Sequence, residues 1–519
     1  MRNTVDLTTP NIEGEYAIYL PALSTFYLRQ LTKTIDPSFY GTNRLPATFD
    51  KGFEGMDFLK DDGYYNYKWA LYSAGHAYLD INKGKEKEKM IQERDRSNTV
   101  IIGDSSGFQV AKGTGHFRNF SWDNFANKEG DKLRAKILHW LEETADWSMT
   151  FDVPAMSAEP PCDANTGLKT FQETLDYSLL NLEYFIHNRT PGKTKFLNVL
   201  SGSSQVNSKT WYEAVKIYST ESEVTKMGLP ADHTMEGYAF AGINRMHMKT
   251  ALERILDLKN DGLLEGKDWI HFLGIGRLDW ACYLTAIQRQ IRKHYNPNLT
   301  ISFDAASPFV AVAKGLTYTH NVFTPKRWGY NMEAAIDEKS LKGSALPFPF
   351  QSPITERMTV GDICRYDTSD VNKQGKSTKT SWDSASYLIL MAHNVYNHIA
   401  AVQEANRLVD YELSRTHMQN ICYTDWTKEK RSSNANELSP YVPGAILFFN
   451  KFIEELLDPA NPDPYAMLDA NKTFLDTISF GGKDVDMFKE LFNDVEDNPE
   501  EDYASLDDED LMRLEGEDE

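Results

Sequence analysis

NTVIIGDSSGFQV, residues Asn98 to Val110, is the stretch on which the fold turns. Val100, Ile101 and Ile102 are a short β-branched run of the kind found in buried parallel strands, and the run stops at Gly103, Asp104, Ser105, Ser106 and Gly107. A carboxylate therefore stands where a strand ends. The glycines let the backbone turn tightly and approach a ligand, and Phe108 offers a flat apolar face to a planar one. Taken alone, Asp104 would serve equally well as a helix cap. The pattern, however, recurs.

Downstream, the runs WSMTFDVP, TKFLNVLSGS, GYAFAGI, WIHFLGIG and LTISFDAAS are mostly apolar, and each closes on or near Gly, Ser or Asp. Between them lie stretches with helical spacing of apolar residues: Asp131 to Trp147, Leu168 to His187, Ser208 to Thr220, Met248 to Lys259 and Leu278 to Tyr295. Strand and helix alternating at this period are compatible with successive strand-helix units of an α/β fold, such as a TIM-type (β/α)8 barrel. In such a barrel the C-terminal strand ends share one face, so Asp104, Asp152, Ser201, Gly202, Gly242, Gly274, Gly276 and Asp304 are expected around one pocket. Three carboxylates at one mouth suit nucleophilic and acid/base chemistry on an acetal-like carbon. Neither a GxGxxG fingerprint nor a GxxxxGK[ST] loop is present, which argues against dinucleotide and P-loop chemistry.

The composition fits a globular protein, with 41% hydrophobic and 12% aromatic residues in 519. The net charge of −21 is unevenly placed. Asp494 to Glu519 holds fourteen acidic residues against Arg513 alone, which is −13, so the preceding chain carries only −8. Cys162, Cys282, Cys364 and Cys422 are scattered, as expected of reduced thiols and not of a disulfide framework. The polar start MRNTVDLTTPN has no signal-peptide pattern, and no apolar run reaches the length of a membrane span. A cytoplasmic protein with no membrane partner is expected.

As an ordered set the motifs resemble a known family. DSSGFQV is similar to the DSGGFQV signature of the tRNA-guanine (queuine) transglycosylases, and MTFDVP, VLSGS, GYAFAGI, FLGIGRLDW and FDAASP follow in that family's order over residues 95 to 410. The resemblance implies a barrel enzyme, a glycosyltransferase of the pentosyl kind, that exchanges guanine in a polynucleotide for a 7-deazaguanine through a covalent sugar intermediate. It implies that Asp304 is the nucleophile attacking C1′ and Asp104 the acid/base carboxylate. Asp152 would read the guanine N1 and 2-amino edge, and Phe108 and Leu273 would sandwich the base. Ser105, Ser201 and Gly202 would belong to the same pocket, and Gly242 and Ile243 would give backbone contacts. No cofactor is required for this chemistry.

Departures from the family pattern narrow the substrate. Ser201-Gly202 stands where tRNA enzymes have Gln-Gly, and Val310 and Ala313 stand where they carry anticodon-reading arginines. The likeness is therefore strongest to the relatives of phages and bacteria that put 7-deazaguanines into DNA, which implies DNA and a free 7-deazaguanine base as partners. A tRNA enzyme of divergent specificity is the alternative within the family, and an inert barrel subunit binding nucleic acid or a partner is the alternative outside catalysis. The family's zinc helix resembles LILMAHNVYNHIAAVQEANRL, with His393 as ligand, but Asp362, Cys364 and Asp367 replace its three cysteines. A degenerate site held by packing is expected, with zinc on those four residues as the alternative.

Lys326 and Arg327, beside Trp328, and the basic residues Arg289, Arg292, Lys293 and His294 are the candidate contacts to a phosphate backbone. Residues 1 to 95 read as an irregular, aromatic-rich part of the barrel domain, which itself spans 96 to 410 with the zinc-like region at 355 to 400. Residues 411 to 493 read as a helical extension and 494 to 519 as a disordered acidic tail. A homodimer, and a protein partner for the tail, are both compatible with the sequence.

Overall fold

The computed structural model describes residues 15–34, 44–118, 120, 122, 125–365, 380–420 and 439–480. Asp367, Cys422 and the acidic tail lie outside the described residues.

Eight parallel strands form one sheet: β1 (Ile18–Pro21), β2 (Trp69–Ser73), β3 (Val100–Asp104), β4 (Trp147–Met149), β5 (Lys195–Leu200), β6 (Gly237–Phe240), β7 (Trp269–Phe272) and β8 (Thr300–Ala305). Each strand from β2 to β7 pairs with the next, and β8 pairs with β1, Leu20 opposite Asp304. The remaining seam, between β1 and β2, is bridged where Ala22 pairs with Leu71 and the Leu23 amide donates to the Leu71 carbonyl at 2.8 Å. The result is the TIM-type α/β barrel, nearly closed, with helices alternating between strands.

The strands are short and buried on both faces because helices cover them outside and side chains fill them inside. Trp147 and Trp269 meet in the interior with ring centroids 5.1 Å apart, and Phe240 stacks on Phe272 at 4.7 Å. The covering helices begin where the sequence places capping groups. Thr170 and Glu173 form a reciprocal capping box at the start of Phe171–Asn188, and Asn127 accepts from the Glu129 amide at the start of Lys128–Thr144. Basic Arg292, Lys293 and His294 close Leu278–His294 at its negative end.

One expectation is corrected. The segment before residue 95 supplies the first two barrel strands and the helix Thr25–Thr34 between them. Its strands IYLP and WALYS are buried along almost their whole length, so they lack the alternation that marks a half-exposed strand.

Beyond β8 an antiparallel hairpin, β9 (Leu316–Thr324) and β10 (Arg327–Ala334), leads to a 31-residue helix, Ser384–Ser414, which runs through the expected boundary near 410. Its N-cap Asp383 receives a two-pronged contact from buried Arg44 at 2.7 Å on each oxygen. Burial is the largest influence and works against the Asp383 carboxylate, but the Arg44 charge and the hydrogen bonds from Arg44 and Ser386 together outweigh it and hold its pKa below the usual value. Helix Gly444–Leu456 packs on Leu278–His294, and Lys472–Phe480 on Met248–Asn260. Among the described residues no helix is long and apolar enough to cross a membrane.

Candidate active site

Asp304 is the penultimate residue of β8 and Asp104 the last of β3, while Asp152 follows the end of β4 by three residues. All three therefore sit at the C-terminal mouth. They sense one another, since the charge of Asp304 acts on Asp104 and that of Asp104 on Asp152.

Asp304 is 8% exposed. Its Oδ1 accepts from the Gly274 amide at 2.8 Å and lies 3.1 Å from His271 Nε2. His271 Nδ1 is in turn 2.8 Å from Ser302 Oγ, which also receives the Trp269 indole N–H at 2.7 Å. Oδ2 has no hydrogen-bond partner among the described residues, so one carboxylate oxygen is held and the other is free.

Asp104 accepts from the Ser73 hydroxyl at 2.6 Å, across the register in which Ser73 of β2 faces it. Burial pushes its carboxyl above the ordinary range and the Asp304 charge adds to this, while Ser73 and the Ser106 amide pull the other way. Asp104 is thus a carboxyl that keeps its proton more readily than one in water. Ser106 has a left-handed backbone with φ of 88°, the only non-glycine so disposed among the described residues. That conformation costs about 1 kcal/mol for a residue with a Cβ and is tolerated where the surroundings fix it, often at functional sites.

Burial drives the Asp152 carboxyl up to about 7, with the Asp104 charge second. It lies against the start of the helix after β3, where a Cβ on Gly107 would stand 2.5 Å from its Oδ1. Phe108 and Leu273 are both half-buried, with Leu273 immediately before the Gly274 amide that holds Asp304. The two residues expected to sandwich a base are thus chain neighbours of Gly107, which abuts Asp152, and of Gly274, which holds Asp304.

The remaining expected pocket residues divide. The Ser105 hydroxyl donates to the Thr150 carbonyl at 2.9 Å, tying the exits of β3 and β4 together. Ser201 Oγ is buried without a hydrogen-bond partner, a donor available to a ligand. Gly202 and Gly242 press the loops after β5 and β6 together, and a Cβ on Gly242, whose φ is +53°, would come within 2.4 Å of the Gly202 carbonyl. Ile243 follows Gly242 directly. Its amide donates to the Gly202 carbonyl and its carbonyl accepts from the His247 amide, both at 2.9 Å, so its backbone groups are occupied within the protein.

The three described zinc-like residues, His393, Asp362 and Cys364, each bond to other groups of the protein. His393 is fully buried, and its Nε2 donates to the Tyr318 carbonyl at 2.9 Å while Nδ1 accepts from the Ser352 hydroxyl at 2.9 Å. Asp362 caps its own helix by accepting from the Thr359 amide and hydroxyl, and Cys364 Sγ points to the Ile336 carbonyl at 3.5 Å. Among the described residues no group of three or more His, Cys, Asp or Glu could hold a metal ion.

The basic face on Leu278–His294 is not a free surface. Arg289 makes a two-pronged ion pair with Asp410 at 2.6 and 3.0 Å, Lys293 faces Glu454 at 3.8 Å, and Arg292 donates to the Leu299 carbonyl. Lys326 is exposed at the tip of the β9–β10 hairpin, just before Arg327. Trp328 beside them gives its N–H to the Tyr441 carbonyl and packs edge-on against Phe323, so its ring is a structural one. A separate cavity of about 490 Å³ opens near the N-terminal end of β3, lined by Asp57, Lys60, Lys89 and Asp95 among others. That end of a barrel serves stability more than chemistry.

Sequence reasoning passed over Ser73 and the Trp269–Ser302–His271 group. The available signal was polarity out of place, a His within the apolar WIHF of β7 and a Ser within the apolar TISF of β8. Compared with models of protein families and with curated proteins, the chain finds no match.

Proposed function

We propose that the protein is a DNA-guanine transglycosylase that exchanges guanine for a 7-deazaguanine base. The observation that carries this reading is the division of labour among three carboxylates at one mouth. Asp304 has one oxygen held and one free, Asp104 is disposed to carry a proton, and Asp152 sits buried against Gly107, the chain neighbour of Phe108.

In the proposed reaction Asp304 Oδ2 attacks C1′ of the target nucleotide as the C1′–N9 bond breaks, and Asp104 delivers its proton to the departing guanine. The 7-deazaguanine then enters, Asp104 takes the proton from its N9, and N9 attacks C1′. The Asp304–C1′ bond breaks and its electron pair returns to the carboxylate. Asp152, once ionised, accepts from two donors on the base edge, and Ser201 Oγ offers a further hydrogen bond.

DNA is favoured as substrate by the helix Ser307–Ala313. Val310 in it is buried and Ala313 is uncharged, so no cation stands there to read an anticodon loop. A nucleotide flipped from the stack could reach the mouth, and the exposed Lys326 at the hairpin tip is the proposed contact to its backbone. The test is release of labelled guanine from DNA and from tRNA at matched salt, with and without a 7-deazaguanine base. Release from DNA that depends on the base supports the assignment. Release from tRNA alone would replace it with the tRNA reading, and release from neither would leave an inert barrel subunit.

A further inference from the structure

With Asp304 ionised and His271 neutral, the hydrogen bonds behind Asp304 run in one direction, because a carboxylate only accepts and the ring nitrogen facing it must then carry the proton. The Trp269 indole N–H can only donate, and Ser302 Oγ is its acceptor at 2.7 Å. The Ser302 hydroxyl keeps its own proton to give, and His271 Nδ1 stands 2.8 Å away to take it. With Nδ1 accepting, the ring proton is on Nε2, 3.1 Å from Asp304 Oδ1. Ser302 and His271 are fully buried and Trp269 is 8% exposed, so solvent does not substitute for any member.

On the reading that Asp304 is the attacking carboxylate, we propose that His271 is a positioning residue for it, locked by Ser302 and Trp269 as the Nε2-protonated tautomer. Two N–H donors, His271 Nε2 and the Gly274 amide, converge on Oδ1 and leave Oδ2 as the oxygen that forms the bond to C1′. While Oδ2 is esterified, Oδ1 is the ester carbonyl and keeps both donors. When the Oδ2–C1′ bond breaks, the electron pair spreads over both oxygens and the donors bind the returning charge more strongly. No proton moves to or from His271. Donors aimed at charge as it develops act mainly on turnover and not on binding of the base, which His271 does not touch.

The experiment combines three variants of the full chain with two readouts beyond activity. His271→Leu removes the donor, His271→Gln returns an N–H near the place of Nε2, and Ser302→Ala unpins the tautomer. His271→Leu is expected to slow guanine release at saturating substrates by roughly 10- to 100-fold, the range for losing a hydrogen bond to a charged group. The dissociation constant of the free 7-deazaguanine base should stay within about threefold, since a group that acts only at the charge-bearing step contributes little to ground-state binding. His271→Gln should recover most of the rate. In wild-type protein, ¹⁵N spectra of the histidine rings should place the His271 proton on Nε2, and Ser302→Ala should mix the tautomers. If His271→Leu does not fold, His271→Gln and the spectra carry the comparison. Wild-type turnover in His271→Leu, loss of base affinity equal to the loss of rate, or a wild-type proton on Nδ1 would each overturn the proposal. If wild-type protein releases no guanine from any polynucleotide, the transglycosylase reading falls, and the ring spectra still decide the relay.

Discussion

A side chain on Gly107 would collide with Asp152, because a Cβ there would stand 2.5 Å from Asp152 Oδ1. The start of the helix after β3 and the carboxylate after β4 are thus in direct contact, and the shape of one fixes the position of the other. Gly107→Ala should displace Asp152 and weaken binding of a free 7-deazaguanine base by about tenfold or more, the loss of one charge-assisted hydrogen bond. Its melting temperature should change little, since alanine suits a helical position better than glycine by up to ~1 kcal/mol. Calorimetry and thermal melts on the same sample check both. Unaltered base affinity would move the reading role away from Asp152.

Base binding should depend on pH through Asp152. Its carboxyl is raised from 3.8 to about 7 in the folded protein, first by burial and then by the Asp104 charge. A raised carboxyl stabilises the fold most below its unfolded value, and this contribution is lost as pH rises through about 7. The base edge, with two donors, needs the ionised form, so affinity should climb as pH rises and level off above about 7. Below that point each pH unit should cost up to about tenfold as binding releases one proton. A titration series by calorimetry in buffers of different ionisation enthalpy measures that proton directly, and Asp152→Asn should flatten the profile.

Asp304→Asn keeps the shape of the proposed nucleophile but removes its anionic oxygen. Exchange should fall by several orders of magnitude, as for the loss of other enzymic nucleophiles, and the denaturation-resistant protein-DNA adduct should disappear. Gel analysis of labelled DNA after denaturation shows the adduct. Near-normal exchange in the Asn variant would remove Asp304 from the mechanism.

The residues at the zinc-like position should behave as a hydrogen-bonded core. A chelator should leave the melting temperature unchanged, whereas His393→Ala, which orphans the Tyr318 carbonyl and the Ser352 hydroxyl and opens a cavity, should cost about 2–4 kcal/mol. Burial lowers His393 to about 4 and His398 to about 3. Their contribution to stability is therefore present above the unfolded value of 6.5 and is lost as pH falls toward 4 and below. Denaturant midpoints over that acid range test this, and one tightly held zinc per chain, lost in His393→Ala, would contradict it.

Six of the eight barrel strands and the helices between them could be read from the chain, because WSMTFDVP, LTISFDAAS and their neighbours end in residues that stop a strand. Helices such as Met248–Asn260 and Leu278–His294 matched their expected spans to within a residue or so, since their apolar spacing and end residues agree. The two N-terminal strands were hidden by their own burial. The placement of Asp104, Asp152 and Asp304 at one mouth followed from topology, but their differing environments did not. Ser73, which accompanies Asp104, lies 31 positions away, and His271 meets Asp304 from 33 positions away. Such partners depend on strand register, which a linear pattern does not specify. The opposite failure is Arg289, which looked free in sequence and is paired with Asp410, 121 positions away.

The pairing of Ile18 with Ser302 has a consequence for how the chain is made. The first strand finds its partner only after nearly three hundred further residues have been joined, and at about 5–20 residues per second a ribosome takes on the order of 15–60 s to reach it. For that interval β1 has no β8 to cover its edge, and the growing sheet presents unpaired amides and carbonyls to its surroundings. The nascent chain is then at its most vulnerable to misassociation, and holding factors that shield strand edges would act before β8 emerges. A circular permutant whose new ends fall in the Thr324–Arg327 hairpin would leave that interval unchanged, whereas one opened between β1 and β2 would make β1 after β8, so that β1 would find its partner already present when it emerged.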